Sequence, residues 1–171
     1  SFTINKTRLQ QVTMVSYFGA GTQWATKKGN PDKVDVNNPC GLTVGVQKDT
    51  VQVDDLTARS KKCTDEGKPA ISIVPFDGQD AATNAVVLGQ ADAMSADSPV
   101  TLYAIKQTNG KLEQAGETFD SAPYGWPVAK GSPLAQSLLQ ALEHLIETGK
   151  YKEIAANWGL EEGMIDKPVI N

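Results

Sequence analysis

Cysteine, histidine, long apolar runs and clustered basic charge are all scarce in this 171-residue chain, and each shortage excludes something. Cys40 and Cys63 do not form a Cys-x-x-Cys pair, and the single histidine, His144, lies far along the chain. A closed zinc site wants four ligands at tight spacing, so a zinc centre is not expected. His144 sits beside an apolar helical stripe without a chemical partner and reads as a surface or satisfied side chain. The two cysteines are either buried thiols or one disulfide, and a disulfide implies an oxidising compartment. No apolar run approaches the ~18 residues of a membrane span, and no signal peptide opens the sequence. Lys and Arg number 16 against 20 acidic residues, giving a net charge of −4. They form no stripe, so nucleic acid is not expected as a partner. The remainder, 40% hydrophobic and 21% charged, is ordinary globular composition for one domain, or one domain and a fragment.

The stretch from Gly89 to Pro99 organises the chain. Small apolar residues around Ala91 to Ala96 suit a buried strand covered on both sides. Ser98 and Pro99 suit a helix start, because proline's missing N–H would be unpaired in the first turn anyway. Asp97 therefore stands where a strand ends and a helix begins, the edge at which open α/β sheets bind ligands. It reads either as a cap for that helix or as a ligand group.

Around this stretch the pattern alternates. Strands are expected at Ser1–Ile4, Gln23–Lys27, Leu42–Gln47, Ala70–Val74, Leu112–Phe119 and Tyr124–Ala129, with Pro127 demanding an edge or a break. Helices are expected from Val51 to Gly67, from Gln79 to Leu88 and from Pro99 to Gln107. The first has weak apolar positions at Val53, Leu56 and Ala58, and the second an apolar face of Ala82, Ala85 and Val86. Leu134, Leu138, Ala141, Leu142, Leu145 and Ile146 make a helical stripe stopped by Gly149. Tyr151, Ile154, Ala155 and Trp158 make another stopped by Gly159. The tail to Asn171 reads as loop. Tyr17 to Gly21 and Ser121 to Tyr124 read as flexible joints. Between them lies one doubly wound α/β unit.

Three polar features suit one small zwitterion. Arg8 offers a planar, permanently charged fork for a carboxylate. Thr50 precedes a helix whose free N–H groups and dipole attract an anion. Asp97 is an anion suited to an ammonium group. The alternative is an exposed arginine and two caps.

The motifs in order add a resemblance. Ser1-Phe2-Thr3-Ile4-Asn5-Lys6-Thr7-Arg8, Gly45-Val46-Gln47-Lys48-Asp49-Thr50-Val51-Gln52, Gly89 through Pro99, and Tyr124-Gly125 with Lys130-Gly131-Ser132, Gly149-Lys150-Tyr151 and Asn157-Trp158-Gly159 together cover nearly the whole chain. As a set they resemble the family-3 extracellular solute-binding proteins, the amino-acid receptors of ABC importers. The resemblance implies an α/β fold of the type II periplasmic-binding-protein kind, with a complete, doubly wound lobe 2 and an incomplete lobe 1. It divides the chain into a lobe 1 remnant with the first hinge at 1–21, lobe 2 at 22–121, and the second hinge with C-terminal lobe 1 helices at 122–171.

Carried onto this sequence, the resemblance implies that Arg8 pairs with a ligand α-carboxylate and that Thr50 adds its hydroxyl and N–H. Asp97 takes the ammonium group, Ser1 offers it a backbone carbonyl, and Thr3 bonds the ligand head group. Gln47 and Ala96 lie near the ligand side chain and mildly favour a polar amino acid. Asp92 is expected to be structural. Asp49 replaces the family's glycine in the ligand loop, and Gln90 replaces its arginine. The extracellular setting favours a Cys40–Cys63 disulfide. The implied partners are a free amino acid and an ABC permease in the membrane. No cofactor and no covalent chemistry are implied. The implied location is extracellular or periplasmic, with a lipid anchor through a cysteine upstream of Ser1. The shortened first lobe is expected to weaken binding and to favour a dimer of the truncated chain. Two other functions suit the same fold. A prephenate-type dehydratase needs a general acid, for which Glu113, Glu117 and Lys48 are the candidates. A sensor receptor's ligand-binding domain is the other.

Overall fold

The computed structural model describes residues 2–171. Six α-helices and five strands follow in the order α1 (Lys6–Gln11), β1 (Val12–Lys27), β2 (Thr43–Gln47), α2 (Val51–Asp65), β3 (Ser72–Phe76), α3 (Gln79–Leu88), β4 (Ala93–Asp97), α4 (Ser98–Gln107), β5 (Leu112–Ala129), α5 (Leu134–Glu147) and α6 (Lys150–Trp158). The chain divides into two compact units. One holds Ser1–Ala20 and Ser121–Asn171, the other Gly21–Asp120.

The Gly21–Asp120 unit is wound on a sheet of order β3-β2-β4-β1-β5. β2 runs parallel to β3 and to β4, while β1 runs antiparallel to β4. Alternation along each strand sends neighbouring residues to opposite faces. Trp24, Val44, Val46 and Ala93 join Leu56 of α2 in one core cluster. Ala25 and Met94 join Ala85 and Val86 of α3 and Ala104 of α4 in the other. Helix α2 therefore covers one face, and α3 and α4 cover the other. Both end strands carry a proline, Pro75 in β3 and Pro127 in β5, where a missing ladder donor is tolerated.

Cys40 and Cys63 are bonded, with Cα atoms 5.6 Å apart. The bridge ties the approach to β2 onto the last turns of α2, as the extracellular resemblance implied. Asp92 is structural too. Its carboxylate accepts the Thr43 N–H at 2.7 Å, its own N–H donates to the Thr43 carbonyl, and Thr26 Oγ1 donates to its carbonyl.

The other unit contains α1, α5, α6, residues 12–20 of β1 and residues 121–129 of β5. Val15, Val128 and Ala135 form its buried cluster, with Trp126, Leu138 and Leu139 packed against it. The Tyr17 and Trp126 rings stack at 4.5 Å. Tyr151 donates its hydroxyl proton to the Tyr17 carbonyl and accepts the Ile165 N–H. The stripes of α5 and α6 are covered only in part: Leu134, Ile154 and Trp158 stay exposed, Trp158 at 69%. Gly149 and Gly159 end the flanking helices with φ of 73° and 68°, conformations that suit glycine.

Several expectations are corrected. Of the strand expected at Ser1–Ile4, the described residues make only one bridge, Thr3 to Tyr124, and Lys6–Gln11 is helical instead. Asn5 starts that helix by accepting the Arg8 N–H at 2.9 Å, a capping signal that outweighs the short apolar pattern around it. Residues 17–21 and 121–124, expected as joints, lie inside the long strands β1 and β5, and the division between the two units falls at Ala20/Gly21 and Asp120/Ser121. The strand expected at Ala70–Val74 lies two residues later. Of the apolar positions expected on α2, Leu56 is buried and Val53 packs against the core; Gln52 and Cys63 are buried beside them. The tail also pairs: Met14 and Asn171 exchange both backbone hydrogen bonds, and Ser16 N–H donates to Val169.

Candidate functional site

In the Gly21–Asp120 unit the chain leaves β2 through α2 to reach β3 on one side, and leaves β4 through α4 toward the other side of the sheet. The parallel neighbours β2 and β4 therefore flank a topological switch point, and a crevice outside their carboxyl ends is where such a sheet binds ligands. Those ends are Gln47 and Asp97, so two of the residues singled out from sequence stand at this edge.

Beyond Gln47 the chain turns sharply. Asp49 has φ of +60°, a left-handed conformation that aspartate tolerates better than most residues. Thr50 is the N-cap residue of α2, yet its side chain caps nothing. Its hydroxyl donates to the Gln47 carbonyl at 2.8 Å instead. The first-turn N–H groups of α2 thus have no side-chain cap, and with the helix dipole they favour an anion there. An anion bound there takes backbone N–H groups first. The Thr50 proton reaches it only by leaving Gln47.

Asp97 occupies the N-cap position of α4 and likewise makes no side-chain cap bond. Of its two sequence readings, the capping one does not describe its side chain. Its Oδ1 accepts Gln52 Nε2 at 2.8 Å. The same nitrogen reaches Thr22 Oγ1 at 3.2 Å, and Thr22 is the β1 partner of Asp97. Asp97, Thr22 and Gln52 thus form a polar cluster on the α2 face of the sheet, with Asp97 half-buried and Gln52 buried. Gln52 was not singled out from sequence. A polar residue four positions before Leu56, on the buried stripe, is the signal that marks it.

Gln47 is half-buried, with Nε2 donating to the Asp77 carbonyl at 3.4 Å. Ala96 is buried on the opposite face from Asp97, opposite Gln23 in the β1 register. In the other unit, Arg8 sits on α1 with its guanidinium 3.9 Å over the Phe2 ring and Nη1 donating to the Thr3 carbonyl at 2.9 Å. A guanidinium has five N–H donors, so this single bond orients the fork and leaves donors for a carboxylate. Thr3 is fixed by its bridge to Tyr124. Ser1 lies outside the described residues.

The acid–base candidates are placed elsewhere. Glu113 pairs with Lys28 at 3.0 Å. Lys28 follows the end of β1 that lies beside Ala93, the opposite end of β4 from Asp97. The hydrogen bond from Lys28 holds the Glu113 carboxyl below the ordinary glutamate range, so it is ionised at neutral pH. Lys48 pairs with Asp77 at 2.7 Å on the surface. His144 is exposed on α5, and no metal-ligand cluster exists among the described residues. Of two surface depressions of this unit, one is lined by residues 37–40, Arg59, Lys62, Cys63, Glu66 and Lys68 and the other by residues 34–37, Arg59 and residues 116–119. Neither contains an expected ligand residue, and the third acid candidate, Glu117, lies on the second. Arg59 there is a strut, paired with Asp55, donating to the Val36 carbonyl and lying over Phe119.

A mixed sheet with this switch point, coupled by two strands to a second α/β unit, defines a periplasmic-binding-protein-like fold. The model of the bacterial extracellular solute-binding proteins, family 3, matches residues 1–161, and the chain belongs to that family. It is 40% identical over 171 residues to the arginine-binding protein ArgT of Corynebacterium glutamicum, covering 99% of this chain and 56% of that protein. It is 29% identical over 164 residues to the ABC transporter glutamine-binding protein GlnH of Bacillus subtilis, covering 95% of this chain and 57% of that protein. The chain therefore spans little more than half the length of these relatives. Among solved structures, an ancestral arginine-binding protein bound to glutamine superposes with a TM-score of 0.81 at 30% identity, covering 94% of this chain and 69% of that one.

Proposed function

We propose that this protein captures a polar amino acid outside the cytoplasm and delivers it to an ABC permease. Asp97 takes the ligand ammonium group. Arg8 takes the α-carboxylate, helped by the first-turn N–H groups of α2 beside Thr50. The observation that carries this reading is the pairing, at one sheet edge, of an acidic side chain that caps nothing with a helix N-terminus that has no side-chain cap. Both charges of an amino acid find their complement there. Arg8, pre-oriented by Phe2 and Thr3, adds a charge-assisted contact. The names of the two relatives make L-arginine and L-glutamine the first ligands to try.

No acid is needed for chemistry in this reading. Ligand binding is measured by calorimetry with a panel of amino acids. A parallel assay follows keto-acid release from prephenate. Saturable binding of a polar amino acid without turnover is the expected result. Turnover of prephenate overturns the reading.

A further inference from the structure

We propose that Gln52 is the positioning residue of the ammonium site. It fixes the Asp97 carboxylate to the same helix turn whose N-terminus receives the anion, and so sets the spacing between the two charge-binding groups of this unit. The inference rests on the amino-acid reading above. Three observations carry it. Gln52 is only 3% exposed, a depth at which an amide is kept only with its hydrogen bonds made. Its one side-chain nitrogen meets both Asp97 Oδ1 and Thr22 Oγ1, from a helix, across the carboxyl edge of the sheet. It is also the second residue of α2, two positions after Thr50, so any shift of the helix start moves the anion-binding N–H groups and the Asp97 carboxylate together.

An amide is the side chain this position needs. It donates to the carboxylate without neutralising it, whereas a lysine would pair with Asp97 and compete with a ligand ammonium. A glutamate would repel Asp97 and offer it no proton at neutral pH. A leucine fills the volume and leaves the carboxylate without that donor.

The test compares wild type, Gln52→Leu, Gln52→Glu and Asp97→Asn, with L-arginine and its des-amino analogue 5-guanidinopentanoic acid as probes. The wild type should prefer L-arginine. In Gln52→Leu that preference should shrink at least fivefold, chiefly through weaker L-arginine binding, and Gln52→Glu should lose it altogether. In the Asp97→Asn background, Gln52→Leu should change L-arginine affinity less than twofold, because the residue acts through Asp97. Equal weakening toward both probes, or full additivity with Asp97→Asn, overturns the proposal and leaves Gln52 a packing residue.

A second arm needs no ligand. The side-chain amide resonances of Gln52 in the free protein should move on Asp97→Asn and stay in place on Asp49→Asn. If the wild type binds no amino acid of the panel, the amino-acid reading fails. Unmoved amide resonances refute the Gln52–Asp97 link whether or not a ligand binds. Moved resonances then uphold that link alone.

Discussion

Asp49 shows how one residue's backbone enters the site's construction. Its φ of +60° lies in the region that L side chains pay to occupy, although aspartate pays less than most. Asp49→Gly should therefore stabilise the protein by about 0.5–1 kcal/mol, read from the midpoint of urea unfolding. A loss of stability instead would show that the side chain holds the turn. At this scale much was legible in the sequence. Asp97, Thr50 and Gln47 stand at the carboxyl ends of β4 and β2, and Asp92 is bonded as a structural residue. Gln52 is marked in the sequence only as a polar residue on the stripe of Leu56, and its role was not legible. Only the register of Thr22 with Asp97 reveals what its nitrogen meets. Alternation along β4 buries Ala96 on the face opposite Asp97.

At the scale of elements, the segments near Gly21 and Pro123 that read as joints lie where the chain passes between the two units, and β1 and β5 run through them as continuous strands. Helix α1 was missed because six residues carry too little periodicity, and only the Asn5 cap announces it. The helix pattern of α2 was legible, and the disulfide strengthens its packing. Opening Cys40–Cys63 by Cys40→Ala with Cys63→Ala should cost about 3 kcal/mol, from a loop whose ends lie 23 residues apart. Chemical denaturation of the oxidised and double-alanine forms measures it, and equal midpoints would contradict it. The Lys28–Glu113 pair joins the end of β1 to the start of β5. Lys28 lowers the Glu113 pKa below its ordinary 4.5, so the pair's contribution is complete above that value and is lost as the pH falls through the lowered one. The stability difference between wild type and Glu113→Gln should therefore be present at pH 7 and shrink by pH 3. A difference independent of pH would contradict the pairing.

At the scale of the whole molecule, the family and fold class were legible from four ordered motifs. The ligand was not, because the motifs describe how the charged ends of an amino acid are held and say little of its side chain. In the proposed reading, Arg8 takes the ligand carboxylate and Asp97 its ammonium group. Charge-assisted hydrogen bonds of this kind contribute roughly 1.5–3 kcal/mol each, and ~1.4 kcal/mol is a factor of ten in affinity. The direct measurement is titration calorimetry of wild type, Arg8→Ala and Asp97→Ala with whichever of L-arginine and L-glutamine binds the wild type more tightly. Each substitution should weaken binding tenfold or more while the far-ultraviolet circular dichroism spectrum is preserved. Unchanged affinity in either variant would contradict the account.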